Sequence, residues 1–175
     1  MHNSTDQRSL IAAGTLLGIG LGGFVDGIVF HQLLQAHNML TARYPETGVE
    51  VATLAANLEI NMFWGGLFHS FCWATTALGL VWLWLAIRRP EVSLSNEIFV
   101  GSLLFGAGLF NLVEGLIDHE MQGIHHVIEA GNHLLWDVVF LGSGVALMLA
   151  GWAVIRAGRH DLGAARGVVG GGAGA

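Results

Sequence analysis

Two stretches of the chain repeat one pattern of ionisable residues. The first stretch contains Asp26, His31 and His37, and the second contains Glu114, His119 and His125. In both, a glycine follows the acid directly, one histidine comes five residues after the acid, and another comes six residues later. Iron, zinc, manganese and copper(II) bind imidazole and carboxylate groups of this kind. The repetition therefore predicts a paired metal or cofactor site.

The spacing within each stretch limits how these groups can meet. Asp26 and His37 are eleven residues apart, which corresponds to about 16 Å along a straight helix. They can share an ion only if the chain bends back after His31. Gly27 and Gly115 directly follow the two acids, and there we expect a helix bulge that brings each acid to its histidine.

Further ionisable residues are expected at the same level. Glu114 and Asp118 are four residues apart, so their side chains share a helix face, and His133 and Asp137 do the same. We predict a central set of metal ligands with a surrounding rim. The central set is Asp26, His31, His69, Glu114, His119, His133 and Asp137, and the rim of access or supporting ligands is His37, His125 and His126. Asp118 completes the candidate metal residues.

The composition indicates which structural elements position these residues. The chain has 175 residues, of which 53% are hydrophobic and 11% are charged, whereas ordinary soluble domains carry roughly 25% charge. Four almost uncharged stretches are long enough to cross a bilayer as helices. They predict an all-α membrane protein with transmembrane helices near residues 9–35, 56–87, 96–118 and 132–155. Ionisable residues in such helices are costly and usually functional.

The two halves of the chain predict an internal repeat. An offset of 88 residues relates the first helix to the third, and an offset of 68 relates the second to the fourth and pairs His69 with Asp137. We predict two tandem hairpins, residues 9–88 and 96–156, related by a pseudo-twofold axis along the membrane normal. They form one transmembrane domain within residues 1–157. The Gly/Ala-rich residues 158–175 are predicted to be a disordered cytoplasmic tail.

Glycines indicate which helices touch. Gly14, Gly18 and Gly22 lie on one ridge of the first helix, and the third helix contains Gly101, Gly106 and Gly108. Small residues at this spacing let helix backbones approach closely in lipid. We therefore expect a close contact between the first and third helices.

The arginines predict the orientation. Six of the seven basic residues precede the first helix or follow the second and fourth, and only Arg43 lies in the other set of connections. Positive residues remain on the cytoplasmic side. We predict a bacterial inner-membrane protein with both termini in the cytoplasm and its site facing the periplasm or the exterior. The bilayer is its main partner, and nucleic-acid binding is excluded because basic residues are so few.

The stretches around Asp26 to Gln32 and Glu114 to Val127 resemble those of a family of predicted bacterial membrane proteins of unknown function. The likeness covers nearly the whole chain apart from the tail. It implies a small inner-membrane protein with four helices, and it favours copper handling linked to respiratory oxidase assembly. It supplies no catalytic residues. The histidine boxes of membrane di-iron desaturases are absent.

We therefore predict a membrane metalloprotein that holds one or two ions of iron, copper or zinc, in metal handling or metal-dependent redox chemistry. The residues allow both an enzyme with an open coordination position and a closed carrier site. Haem held by His31 and His119 is less favoured, because the carboxylates exceed what haem needs. The alternative is a non-enzymatic subunit or assembly factor, whose polar cluster relays protons or contacts a second copy of the chain or a respiratory complex.

Overall fold

The computed structural model describes residues 7–128 and 132–171, with side chains described as far as residue 162. The chain forms α1 (Arg8–Asp26), α2 (Val51–Ile87), α3 (Asn96–Glu114) and α4 (His133–Gly171). A π-helical segment continues α1 over Gly27–Leu33, and a second continues α3 over Gly115–Met121. The described residues contain no strand. The predicted all-helical class is confirmed.

Four helical stretches are long and apolar enough to span a membrane: Arg8–Leu33, Val51–Ile87, Asn96–Met121 and His133–Leu162. Large apolar side chains such as Trp73, Val138 and Leu149 are exposed on their outer surfaces. Such side chains favour contact with lipid over contact with water. The four predicted spans are confirmed, although α2 begins five residues before its predicted start.

The helices pack as a row, with α1 and α3 in the centre. Contacts join α1 with α3, α2 with α1, and α4 with α3, whereas the described parts of α2 and α4 do not contact each other. Gly18 lies against the backbone of Gly106, so that a methyl group on either glycine would collide with main-chain atoms of the facing helix. This confirms the expected glycine contact between the first and third helices.

The two π-helical segments begin at the glycines that follow the acids, where a bulge was expected. A π-helix pairs residues i and i+5 rather than i and i+4. The wider turn brings His31 over Asp26, with 3.2 Å between Nε2 and Oδ2, and it brings His119 over Glu114 at the same distance. A regular α-helix would rotate residues five apart by about 140° from each other.

Each π-helical segment ends in a sharp turn. Gln35 has a φ of 48°, and Gly123 has a φ of 55°. These left-handed residues fold the first connection (residues 34–50) and the described part of the second connection (residues 122–128) back over the helix ends. The first connection is also fixed to α2, because the amide groups of Asn57 and Asn61 donate hydrogen bonds to the carbonyls of Pro45 and Tyr44.

The end of the chain, from residue 158, is the stretch for which a disordered tail was predicted. The described backbone of α4 remains helical as far as Gly171, and residues 172–175 lie outside the described part. Alanine and arginine recur among the glycines of this stretch. Alanine and arginine have high helix propensity, which favours the continuation of α4 through this stretch.

Candidate metal centre

Six side chains meet where α1 and α3 pass into their π-helical segments and connections. We call them the inner cluster: Asp26, His31, His37, Glu114, His119 and His125. Each of the six is at most 8% exposed. Buried ionisable groups require partners of opposite charge, hydrogen bonds or a metal ion. The inner cluster is therefore a preformed polar site at one end of the row of helices.

The nitrogen and oxygen atoms of the inner cluster lie close together. His31 Nε2 is 3.1 Å from His37 Nε2, and Glu114 Oε1 is 3.1 Å from His125 Nε2. Two groups of three have their ligand atoms within 4.8 Å of one another: His31, His37 and His125, and then Glu114, His119 and His125. In a tetrahedral zinc site with bonds of about 2.0–2.1 Å, neighbouring ligand atoms are about 3.3 Å apart. The two separations of 3.1 Å are close to this value.

Two backbone carbonyls fix the orientation of the rings. His37 Nδ1 donates to the carbonyl of Val127 at 3.0 Å, and His125 Nδ1 donates to the carbonyl of Met39 at 2.9 Å. When a neutral imidazole carries its proton on Nδ1, its Nε2 keeps a free lone pair. Metal-binding histidines are commonly oriented in this way. Both Nε2 atoms point into the inner cluster and are available to an ion.

The environment also sets the charge of these two rings, which lie in the connections. The pKa of His37 is lowered from 6.5 to about 2, mainly by burial and also by the rings of His125 and His31. His37 is therefore neutral at pH 7, as a metal ligand must be. Burial lowers the pKa of His125, but the contact with Glu114, the carbonyl of Met39 and the charge of Asp118 together outweigh burial, so the pKa of His125 is raised. Positive charge is thus favoured beside Glu114.

Several buried polar atoms have no aligned hydrogen-bond partner among the described residues. They are Asp26 Oδ2, Glu114 Oε2 and both ring nitrogens of His119. His119 Nε2 is 3.2 Å from Glu114 Oε1, and its Nδ1 is 3.3 Å from Asp137 Oδ1. A neutral imidazole has a single N–H, so one of these nitrogens directs a lone pair at a carboxylate. A metal ion or a second proton removes that repulsion.

A second group, the outer cluster, consists of His126, His133 and Asp137, whose ligand atoms lie within 4.8 Å of one another. His126 Nδ1 donates to Asp137 Oδ2 at 2.7 Å, and the backbone N–H of Val127 donates to Asp137 Oδ1. His133 is exposed and the His126 side chain is 28% exposed, whereas Asp137 is buried. Asp137 therefore lies between an accessible group and the buried His119.

Two predicted metal residues lie outside these groups. His69 Nδ1 donates to the carbonyl of Gly65, and Gln32 donates to its Nε2. Asp118 is half-buried and accepts a hydrogen bond from Gln122. The 68-residue offset pairs His69 with Asp137, but the contacts of these two residues are not equivalent within the described part of the chain.

Three other residues shape the site and were not among the predicted ligands. Met39 and Val127 contribute only their carbonyl oxygens, which every residue has, so side-chain chemistry could not identify them. The ring of Phe68 stacks on His31 with 5.9 Å between centroids and 13° between planes. One weak signal existed, since Met39 and Val127 each follow a cluster histidine by two residues.

Comparison with known proteins gives one match. A family model described as "predicted membrane protein" (DUF2243) matches residues 13–158, which is most of the chain and includes both clusters. No curated protein and no solved structure matches the chain.

Proposed function

The chain belongs to the DUF2243 family of predicted membrane proteins, and from this premise we propose that it is a membrane metalloprotein whose inner cluster holds a transition-metal ion. The supporting observation is the convergence of four imidazoles and two carboxylates from both halves of the chain, with two rings oriented by backbone carbonyls. Nitrogen-rich sets of this kind suit iron, copper(II) or zinc.

The number of ions depends on His125. This residue belongs to both groups of three, but its Nδ1 is occupied by Met39, so it offers one nitrogen to one ion. We propose that one ion binds tightly, and that a second requires water or the carboxylate of Asp26 in place of His125. An ion with a water ligand would support redox or hydrolytic chemistry, whereas a fully coordinated ion would suit metal handling.

We propose that the outer cluster is the access point for this ion. His126 and His133 are accessible from the surface, and Asp137 contacts His126 on one side and His119 on the other. An ion captured outside could therefore exchange onto His119 over a few ångströms. Capture at an accessible site would replace part of the ion's hydration shell before it enters the buried cluster.

We further propose that the two hairpins are tandem repeats about a pseudo-twofold axis. His37 contacts the carbonyl two residues after His125, and His125 contacts the carbonyl two residues after His37. Exchange of equivalent contacts is characteristic of twofold symmetry. Arg88 over Trp84 and Arg156 over Trp152 are likewise matched at the other end of the helices.

These arginine–tryptophan pairs also support the proposed orientation in a bacterial inner membrane. Tryptophan at the interface and arginine beyond it are typical of the cytoplasmic side. Both termini would then be cytoplasmic, and the inner and outer clusters would face the periplasm.

The test is metal analysis of the detergent-purified protein beside two variants. We expect at least one equivalent of iron, copper or zinc in the wild type, and its loss in the double variant His31→Ala, His119→Ala. The matched control is His69→Ala, which removes a histidine outside the clusters and should retain the metal. A wild type that stays metal-free after incubation with each of the three ions would refute the proposal.

One observation favours a second candidate, a proton relay in a non-enzymatic subunit or assembly factor. His119 lies between Glu114 and Asp137, and a doubly protonated ring would satisfy both carboxylates. Asp26, His31 and His37 extend this chain of groups into the first half. A metal-free protein whose His119→Gln variant folds normally but loses proton uptake would favour this function over the first.

A further inference from the structure

A cavity of about 430 Å³ lies between α1, α2 and α3 within the spanning part of the molecule. Its walls include Phe68, Phe71 and Phe110, and Glu114 and Asp118 also line it. Phe71 and Val113 in its wall are also exposed on the outer surface of the helices, so the cavity opens towards lipid. Ligand sites typically have volumes of about 300–1,000 Å³, apolar walls and a few polar groups.

Glu114 belongs to the cavity and to the inner cluster at once. Its Oε1 faces His119 and His125, whereas its Oε2 is buried and has no hydrogen-bond partner among the described residues. Glu114 is 8% exposed, so bulk water does not solvate this atom freely. A buried acceptor without a donor is costly, and a ligand that supplies an O–H group would remove that cost.

We propose that the cavity binds a membrane-dissolved hydroquinone, with its ring among the phenylalanines and one hydroxyl group donating to the carboxylate of Glu114, which lines the cavity. This proposal rests on the proposed function, because it names the class of molecule that would bind beside the metal centre. Aromatic rings prefer edge or offset contacts with aromatic walls, which favours a phenolic head over an aliphatic alcohol. The apolar tail follows the opening towards lipid.

Contacts connect this cavity to the metal ligands. Phe68 contacts Phe110 across the cavity wall, with 6.0 Å between centroids, and its ring also stacks on His31. A ring bound among these phenylalanines would therefore lie one side chain away from His31 and directly beside Glu114. One ligand site would therefore lie next to residues from both halves of the inner cluster.

The alternative occupant is the acyl chain of an ordinary lipid, which has no donor for Glu114. The two are separated by calorimetric titration of the purified full-length protein in detergent with a decyl-substituted hydroquinone and with its dimethyl ether. The ether keeps the ring and the tail but has an O–CH3 group in place of each O–H group. We expect the ether to bind about tenfold or more weakly, because the hydrogen bond to a buried carboxylate is lost.

Two variants of α3 locate the site. Val113→Trp fills the cavity from its wall and should weaken hydroquinone binding about tenfold or more. Val100→Trp makes the same change at an exposed position outside the cavity and should bind normally. Equal binding of hydroquinone and ether by the wild type would overturn the proposal and assign the cavity to lipid. Normal binding by a folded Val113→Trp variant would overturn it too.

Metal content measured on the same samples separates this proposal from the function proposed above. A protein that stays metal-free after incubation with iron, copper and zinc, but discriminates hydroquinone from ether, would refute the metal centre and support the hydroquinone site. A metal-loaded protein that binds the hydroquinone and the ether equally would support the metal centre and refute the hydroquinone site.

Discussion

At the scale of single residues, the inner cluster depends on two turns that carry His37 and His125 back over the helix ends. Gln35 and Gly123 are 88 residues apart, and both adopt left-handed backbone angles. Glycine adopts this conformation freely, but a side chain is strained there. The first turn therefore holds strain that the second avoids. His37 and His125 nevertheless reach stacked positions, with 4.6 Å between ring centroids.

This difference predicts opposite effects of two substitutions. Gln35→Gly should stabilise the protein by up to about 1 kcal/mol, because it relieves the left-handed strain, whereas Gly123→Ala should destabilise it by about 1–2 kcal/mol. Unfolding in SDS followed by circular dichroism measures both. Destabilisation by Gln35→Gly would show that the amide side chain of Gln35 matters more than its backbone angle.

Asp137 orients His126 and Val127 and lies beside His119. We expect Asp137→Asn to lower the metal affinity of the inner cluster about 10- to 100-fold, as loss of a supporting carboxylate commonly does. Asp118→Asn is the matched control, since Asp118 lies outside both clusters and should retain wild-type affinity. Competition with a chelator of known affinity gives both values. Equal metal affinities of the two variants would show that Asp137 does not support the metal site.

At the scale of elements, glycines decide how closely α1 and α3 approach, and the π-helical segments decide which way their ends face. The backbone of Leu103 and Gly106 leaves no room for a side chain at position 18. The cluster requires this proximity, because each of the two central helices supplies one acid and one histidine. Loosening the contact should therefore separate the two halves of the inner cluster.

Gly18→Ala should cost about 1–3 kcal/mol of stability, because its methyl group meets the backbone of α3. Gly66→Ala is the control, since nothing lies within 4 Å of a methyl group at that position of α2. Both changes raise helix propensity equally, so the difference in unfolding free energy reports the clash alone. Equal stability and equal metal content of the two variants would show that the close contact between α1 and α3 is not essential.

At the scale of the whole molecule, the row of helices leaves grooves open to lipid and gathers the polar residues at one end. The opposite end carries Arg88 and Arg156 over tryptophan rings. This polarity of the molecule underlies the proposed orientation, in which the metal centre faces the periplasm. The positive ends then remain in the cytoplasm.

Cysteine labelling tests this orientation. In a Cys72→Ala background, Thr47→Cys should react with a membrane-impermeant maleimide in intact bacterial cells from which the outer membrane has been removed. Glu91→Cys should react only after the inner membrane is permeabilised. Both positions are exposed, so accessibility differs through sidedness rather than burial. The reverse labelling pattern would place the metal centre in the cytoplasm.

The sequence by itself determined the membrane class, the four spans, the glycine contact and the repeated acid/histidine pattern. These features follow from hydrophobicity, small residues and spacing, which act locally along the chain. It also indicated that the chain must bulge after each acid, because a regular helix turns residues five apart away from each other.

Only the tertiary structure decided which histidines meet. His37 and His125 were expected at the rim, yet they lie in the middle of the inner cluster, while His69 was expected in the centre and is held by Gly65 and Gln32. The reason is that each connection folds over the opposite half, where the carbonyls of Met39 and Val127 orient the rings. Contacts between residues about 90 positions apart depend on helix packing, and side-chain spacing does not encode them.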